Sequence, residues 1–505
     1  MIIDQREYLN KVLGCWMGKN IGGTLGAPFE WKRQVNDVTY YTQELGGEPL
    51  PNDDLDIQLL WLVALEEKGV KIDAKTLADY WLLYVTPHWA EYGTAKINMR
   101  AGLLPPLSGT HNNVYKDSCG CFIRSEIWAC IAPGCPRIAV KYAFEDAILD
   151  HGDGEGVYAE VFCAALESVA FVEKDLDRLI EIGLSYIPAD CGVAGAIHCA
   201  IESFRAGKTW LEARHAMLER YRGGNLHNIS DEDRARGFAE GRQGWDAPSN
   251  IGMIIIGLLY GQGDFDESIR IAVNCGEDTD CTAATLGSIF GIMHGIDAFT
   301  PRWTQPIGRK IKTACLNLGE LGYFGNQLPA DIDDLARRTE QMARQVIMCY
   351  NLPVELAPEK ATDLSDLKEA FLTADSTALA LYENMSGPVF RFDFFDVAVD
   401  YAGSPLVREN EPKKIKLRIR NKYKVQENIN IRWYAPEGWT VQPGEGTVFV
   451  TPAWFGKTSA EVEFNLLAEK IGQPLNRFVV ELTLNGRPTV MLVPVTLLNG
   501  SLSAC

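Results

Sequence analysis

The chain has 505 residues, 47% of them hydrophobic and 23% charged, and a formal net charge of −19. A chain of this length and composition holds two or more globular domains with full apolar cores. The acidic balance argues against a general nucleic-acid binder, which needs basic surface. It would also repel an anionic substrate unless metal ions or backbone N–H groups offset the field locally.

The spacing of apolar residues predicts helices from residue 1 to about 350. Leu9, Val12, Leu13, Trp16, Asn20 and Ile21 share one stripe. The glycine-rich stretch 22–30, GGTLGAPFE, is expected to end that helix in a turn and to deliver Glu30 beside Phe29 and Trp31. It is not a GxGxxG fingerprint and no strand precedes it, which argues against a dinucleotide fold. Taken alone, Glu30 reads equally as a solvent-facing loop acid. Pro51-Asn52-Asp53-Asp54 stands directly before a second stripe of Ile57, Leu60, Trp61 and Ala64. Adjacent carboxylates at a helix start suit a hard cation; the alternative is a cap followed by acids that the helix dipole favours.

Two loop segments follow. Residues 118–124, SCGCFIR, form a small turn that can present backbone N–H groups to a phosphate, or a plain turn. Asp150-His151-Gly152-Asp153 puts a histidine in a loop, as a structural or a catalytic group. Further on, Asn274-Cys275-Gly276-Glu277-Asp278-Thr279-Asp280 precedes a third stripe of Thr282, Thr285, Leu286, Ile289, Phe290 and Met293. Small residues, including Ala283, Gly287 and Gly291, fill the other face, so this helix is expected deep in the core. Acids at the mouth of a buried helix are costly unless compensated. A metal ion shared with the first acidic helix mouth compensates both.

After about residue 350 the pattern changes. Residues 351–360 read as a connection and 363–382 as one helix. Alternation then takes over: Ile415, Leu417 and Ile419 face one way, Lys414, Lys416 and Arg418 the other, as in a strand with one wet face. Residues 428–433 and 478–484 alternate similarly, and Asn485-Gly486 signals a hairpin with a type I′ turn. The expected architecture is multidomain. An all-α helical-bundle catalytic domain spans 1–350, a linker with one helix spans 351–387, and an all-β, antiparallel, immunoglobulin-like sandwich spans 388–505. The 13 cysteines, odd in number and without paired CxxC motifs, read as free thiols of a reducing cytoplasm. No signal peptide is visible in MIIDQREYLN, and the longest apolar run, 251–259, is too short to span a membrane.

In this order the segments resemble the ADP-ribosylglycohydrolase family, which includes the dinitrogenase-reductase-activating glycohydrolases. The family's G-D-x-x-G-x-x-x-E stretch corresponds to 22–30 and its T/S-D-D triplet to Asn52-Asp53-Asp54. Its G-N-G-x-x-M-R segment corresponds to 119–124, its T-H-x-D to 150–153, and its G-G-D-T-D-T to 276–281. The resemblance covers roughly 8–345 and implies a helical bundle whose cleft holds Mg2+, as many as two ions, with Mn2+ as an alternative. It implies Asp53, Asp54, Asp278 and Asp280 as ligands, with the Asn52 amide oxygen as a further donor. It places Glu30 near the scissile bond, and Gly120, Cys121 and His151 at the substrate. The chain departs from the pattern at Gly23, where Asp is usual, at Asn52 for Thr or Ser, at Cys119 for Asn, and at Cys281 for Thr. The segment around 435–439, APEGW, resembles sandwich modules appended to bacterial carbohydrate-active enzymes.

The implied function is metal-dependent hydrolysis of a glycosidic bond in an ADP-ribosyl or related ribosyl or glycosyl substrate, small or protein-linked. Glu30 or Asp54 would help to activate water. The alternatives are a non-catalytic ADP-ribose or sugar-nucleotide binder with a degenerate metal site, motivated by Gly23, Asn52 and Cys281, and a structural protein of the same fold. Neither nucleic acid nor membrane is expected as a partner.

Overall fold

The computed structural model describes residues 1–221, 244–316, 327–452 and 458–500. The chain divides into two compact units. One comprises Met1–Gly93 and Asn113–Leu381, the other Thr94–Asn112 and Tyr382–Cys505.

The first unit is helical. Its centre is an antiparallel pair, α1 (Gln5–Gly26) and a later helix, Thr279–His294. Asp4 caps α1, its side chain accepting from the N–H groups of Arg6 and Glu7. From Gly14 onward every residue of α1 is buried. The glycine-rich stretch therefore does not turn the chain, as the sequence suggested. It stays helical through Gly26, because the glycines fall every four residues on one face. A Cβ on Gly14, Gly18, Gly22 or Gly26 would lie 2.0–2.4 Å from the backbone oxygen of Gly291, Gly287, Ala283 or Thr279 respectively. Small residues on both helices allow backbone-to-backbone contact, and the dense packing offsets the cost of helical glycine. α2 (Asp53–Lys68) is buried from Asp54 to Leu65, on all sides rather than along one stripe. Glu155–Ala170 (α3) and Ala247–Gly261 (α4) are similarly enclosed, and we label Thr279–His294 α5. Ile332–Tyr350 (α6) ends the unit's long helices with Asn351 in the left-handed region at its C-cap. Two short strands, β1 (Ile2–Asp4) and β2 (Glu355–Ala357), pair in parallel.

The region 363–382 is not one helix. It holds two single turns, Glu369–Leu372 and Ser376–Leu379, and then the 3-10 segment Ala380–Asn384. Asp375 breaks the run by accepting from the N–H groups of Thr377 and Ala378, which starts a new turn.

The second unit contains two five-stranded sheets. One has the order β3 (Val389–Arg391), β4 (Phe395–Asp400), β6 (Lys413–Asn421), β10 (Ser459–Ala468), β8 (Trp439–Gln442). The other has β5 (Leu406–Val407), β12 (Val490–Asn499), β11 (Leu475–Leu484), β7 (Glu427–Tyr434), β9 (Glu445–Val450). All pairings are antiparallel except β5 with β12. Ile415, Leu417 and Ile419 are fully buried in one core with Ile429, Val480, Leu482 and Val493 of the other sheet. Leu103 and Leu107, from Thr94–Asn112, belong to the same core. β11 and β12 form the expected hairpin, but Gly486 alone takes positive φ, and Thr483 pairs with Val490. The connection is thus a longer loop and not a two-residue type I′ turn, because Arg487-Pro488-Thr489 also lie outside the ladder.

The twelve described cysteines are free; Cys505 lies outside the described residues. Among the described residues no helix is long and apolar enough to cross a membrane.

Candidate metal centre and active site

The glycine contacts fix the register of α1 against α5, so that the C-terminal end of α1 meets the N-terminal end of α5. Thr279 Oγ1 donates to Gly26 O at 2.8 Å. A 3-10 turn, Ala27–Phe29, carries the chain on to Glu30 in extended conformation and to Trp31 at φ +60°. The strand-like segment that follows is strapped to the turn before α5. Glu277 N–H donates to Lys32 O at 3.1 Å. Arg33 clamps Glu277 through Nε to Oε1 (2.8 Å) and Nη2 to Oε2 (2.9 Å), and also reaches Asp246. Glu277 and Gly276 both have positive φ, which bends the backbone so that Asp278 and Asp280 project from the mouth of α5.

Three chain segments thereby bring five carboxyl groups together. Glu30, Asp278 and Asp280 can place one oxygen each within 4.8 Å of one another, and so can Asp53, Asp54 and Asp280. Asp54, Asp278 and Asp280 are buried, while Glu30 and Asp53 are half-buried. Burial and the neighbouring charges of Asp280, Asp53 and Asp54 push the Glu30 carboxyl up to about 10. Burial and Asp280 push Asp53 up to about 7. Asp54 and Asp278 are raised well above the usual carboxylate range, first by burial. One oxygen each of Asp54 (Oδ2), Asp278 (Oδ1) and Asp280 (Oδ1) is buried with no hydrogen-bond partner. Buried lone pairs of that kind are rare and costly. Lys19 of α1 offsets part of the charge, but its Nζ is engaged with Glu126 at 2.7 Å. The donor set, carboxylate oxygens with orphaned lone pairs, fits a hard divalent cation.

Asn52 is the N-cap of α2: Asp54 N–H donates to its Oδ1 at 2.8 Å. Asp53 and Asp54 lie in the first helical turn, so the capping and ligand readings of this motif are compatible. A Cβ on Gly23 would fall 1.6 Å from Asn52 Nδ2. The two departures from the family pattern are thus spatially coupled, Gly23 giving room to the larger amide. The two cysteine departures also meet: Cys119 Sγ lies 3.9 Å from Cys281 Sγ.

The residues of the other two motifs form a closed network. His151 is fully buried, its Nδ1 donating to Asp150 Oδ1 at 2.8 Å, and its Nε2 lies 3.0 Å from Ser118 Oγ. Arg124 binds Asp150 twice, Asp146 once, and Gly120 O at 2.7 Å. Cys121 Sγ donates to Gly156 O at 2.8 Å and is fully buried. Gly120 is packed so that a Cβ would fall 2.0 Å from Glu91 Oε1. The network shapes the 118–124 turn from behind, and the His151 and Cys121 side chains do not reach solvent. Sequence reasoning missed Lys19, Glu91, Arg33 and Glu277. Lys19, a cation within an otherwise buried helix, was the readable signal. Outside the acids, Trp31 is half exposed, and its ring meets Trp245 edge-on at 6.0 Å, with Tyr115 against the other ring at 6.0 Å.

The ADP-ribosylglycohydrolase family model matches residues 4–344. None of the curated proteins compared matches the chain. Among solved structures, a FixG-related protein from Vibrio parahaemolyticus is 14% identical, over 22% of this chain and 99% of that one, with a TM-score of 0.17. WR4, a C. elegans MSP family member, is 15% identical over 21% and 97%, with a TM-score of 0.14. The alkylpurine DNA glycosylase AlkC of Pseudomonas fluorescens, bound to DNA with an abasic site analog, is 9% identical over 67% and 98%, with a TM-score of 0.14. Likenesses this slight bear on neither fold nor function.

Proposed function

Because the chain belongs to the ADP-ribosylglycohydrolase family, we propose that it is a divalent-metal-dependent hydrolase of the glycosidic bond in an ADP-ribosyl or related ribosyl or glycosyl substrate. The observation that carries this reading is the convergence of five carboxyl groups, three of them (Asp54, Asp278 and Asp280) with an orphaned, buried oxygen. Asp53, Asp54, Asp278 and Asp280 would hold Mg2+, one or two ions, with Asn52 Oδ1 as a further donor; Mn2+ suits the same oxygens. A cation there supplies Lewis-acid polarisation and orients sugar hydroxyls and water.

The chain's own residues do the rest. Glu30 is half-buried on a strapped loop, within reach of both solvent and the acids. Burial and the neighbouring acids hold Glu30 protonated without a cation. A cation bound at the acids would favour its ionised form, and as a carboxylate it would take a proton from the attacking water and return it to the departing group as the glycosidic bond breaks. Asp54 is the second carboxylate in reach of that water. The transition state gains oxocarbenium character at the anomeric carbon, which the surrounding negative groups stabilise. Trp31 and Tyr115 offer flat apolar faces to the rest of the substrate.

Thermal melting against Mg2+ and Mn2+, with release of ADP-ribose from an ADP-ribosylated peptide, tests the reading. Wild type is expected to gain stability with rising metal concentration, following mass action, and Asp280→Ala to lose that response. Glu30→Gln is expected to keep the metal response and lose turnover by about 100-fold or more. No shift in wild type, or an equal shift in Asp280→Ala, overturns the shared site. Metal-dependent binding of ADP-ribose without turnover favours the non-catalytic alternative, to which the Gly23–Asn52 exchange gives its support.

A further inference from the structure

Cys119 and Cys281 lie 162 residues apart in sequence, yet the fold brings their sulfurs to 3.9 Å. Both replace oxygen-bearing residues of the family pattern, and both are buried, at 3% and 7% exposure. Each is held by its backbone. Cys119 N–H donates to Trp245 O at 2.8 Å, beside the bridge between Ser118 and Asp246. Cys281 lies in the first turn of α5. Each thiol is aimed at a proposed metal ligand: Cys119 donates to Asp278 Oδ2 at 3.0 Å and Cys281 to Asp54 Oδ1 at 3.4 Å. Cys119, Asp278 and Cys281 can place one donor atom each within 4.8 Å of one another. Asp278 is common to the carboxylate set and the sulfur set. It is 3% exposed and its Oδ1 has no partner, although Oδ2 is satisfied by the thiol.

We propose that Cys119, Cys281 and Asp278 form a subsite for a borderline divalent cation of the Zn2+ class, joined through Asp278 to the carboxylate subsite of Asp53, Asp54 and Asp280. Two sulfurs and a carboxylate oxygen are a poor set for Mg2+ and a good one for Zn2+, because thiolates select softer ions. Cys119 and Cys281 would bind as thiolates, their two protons, now donated to Asp278 and Asp54, passing to solvent, and Asp278 would supply a carboxylate oxygen. The reading rests on the carboxylate site proposed above, and it makes that site chemically two-sided: hard oxygens toward Glu30, sulfur toward the 118–121 turn.

The test uses the full-length, reduced, metal-free protein. Titration with Co2+ is expected to give a near-ultraviolet thiolate-to-cobalt absorption. The band should fall to about half in Cys119→Ser and in Cys281→Ser, vanish in the double variant, persist in Cys349→Ser, and be displaced by Zn2+ but not by excess Mg2+. Cys281→Thr is expected to weaken the band similarly and to tighten Mg2+ binding by restoring an oxygen. X-ray absorption of the zinc-loaded wild type reads the ligands without any variant and is expected to show two sulfurs at about 2.3 Å. A zinc shell of nitrogen and oxygen only, no cobalt band, or a band unchanged in the double variant overturns the proposal. If magnesium still raises the melting temperature in that event, the hydrolase reading stands alone; if it does not, both fall.

Discussion

Asp150 shows how a fully buried charge is kept in this fold. Burial by itself would raise its carboxyl, but Arg124 and His151 overcome that and hold it down at about 2. Its folded value therefore lies below the ordinary one near 3.9. The ionised group then stabilises the fold at any pH above about 4, and that contribution, about 2 kcal/mol, is lost as pH falls from about 4 toward 2. Asp150→Asn is expected to cost about 3 kcal/mol at pH 7, because it leaves part of a buried guanidinium unpaired. The gap from wild type should narrow at pH 3. Urea unfolding at the two pH values measures both, and a gap that does not change with pH would mean that Arg124 is not what holds Asp150 ionised. Gly23 and Asn52 make a second residue-scale case. Gly23→Ala drives a methyl into the Asn52 amide and should undo the cap on α2, at a cost of about 1 kcal/mol or more. Shortening the partner in Gly23→Ala/Asn52→Ser should recover most of that loss. If the double variant is as unstable as the sum of the singles, the two positions are not coupled in the way their contact implies.

At the scale of elements, the α1–α5 pair decides where the acids stand. Four of the five glycines of α1, Gly14, Gly18, Gly22 and Gly26, lie against four backbone oxygens of α5, so the pair has one workable register, and that register sets Gly26 against Thr279. Gly18→Ala cannot be accommodated by a side-chain movement, because the obstacle is the Gly287 carbonyl at 2.0 Å. It is expected to destabilise by about 1–3 kcal/mol and to weaken the metal-dependent rise in melting temperature, since a shift of α5 along α1 moves Asp278 and Asp280 relative to the Asn52–Asp54 helix mouth that packs on Gly23 of α1. Gly446→Ala in β9, with open space around it, should leave that rise unchanged. A Gly18→Ala protein that keeps the full metal response would show that the register is set elsewhere. The same helix pair marks where the sequence was legible. The small-residue face of α5 announced close approach and burial, and the acidic helix mouths announced carboxyl groups that the fold does bring together, because both signals are local. The glycines of 22–26 looked like a turn because glycine is a poor helix former; what keeps them helical is a partner more than 250 residues away. The helix expected over 363–382 failed for the opposite reason, a local Asp375 cap that outweighs the apolar spacing. Arg33 and Glu277, which strap Glu30 in place, carry no mark in the sequence, because their meaning lies in a tertiary contact.

At the scale of the whole molecule, the sequence suggested a helical domain followed by a sandwich, and the chain is less simply divided. Thr94–Asn112 leaves the helical unit and belongs with Tyr382–Cys505. Its Leu103 and Leu107 are 0% and 2% exposed in the core between the two sheets. Nothing in that short segment's pattern distinguished it from its helical neighbours, since two buried leucines serve a helical core as well as a β-sheet core. Its placement bears on any attempt to isolate the catalytic part. A chain ended after Leu381 keeps every carboxyl group of the proposed site, but it strips Leu103 and Leu107 of the apolar side chains that cover them. Full exposure of two leucines gives up about 3–6 kcal/mol of burial, a large share of a typical folding stability, and leaves adjoining apolar surface for self-association. The truncated chain is therefore expected to aggregate and to bind a hydrophobic dye, with light scattering and dye fluorescence as the readouts. Leu103→Ser/Leu107→Ser in the truncated chain should lower both signals, while the same pair in the full-length protein should destabilise the sandwich unit by emptying part of its core. A truncated chain that stays monomeric and dye-free without those changes would show that the segment finds cover within the helical unit.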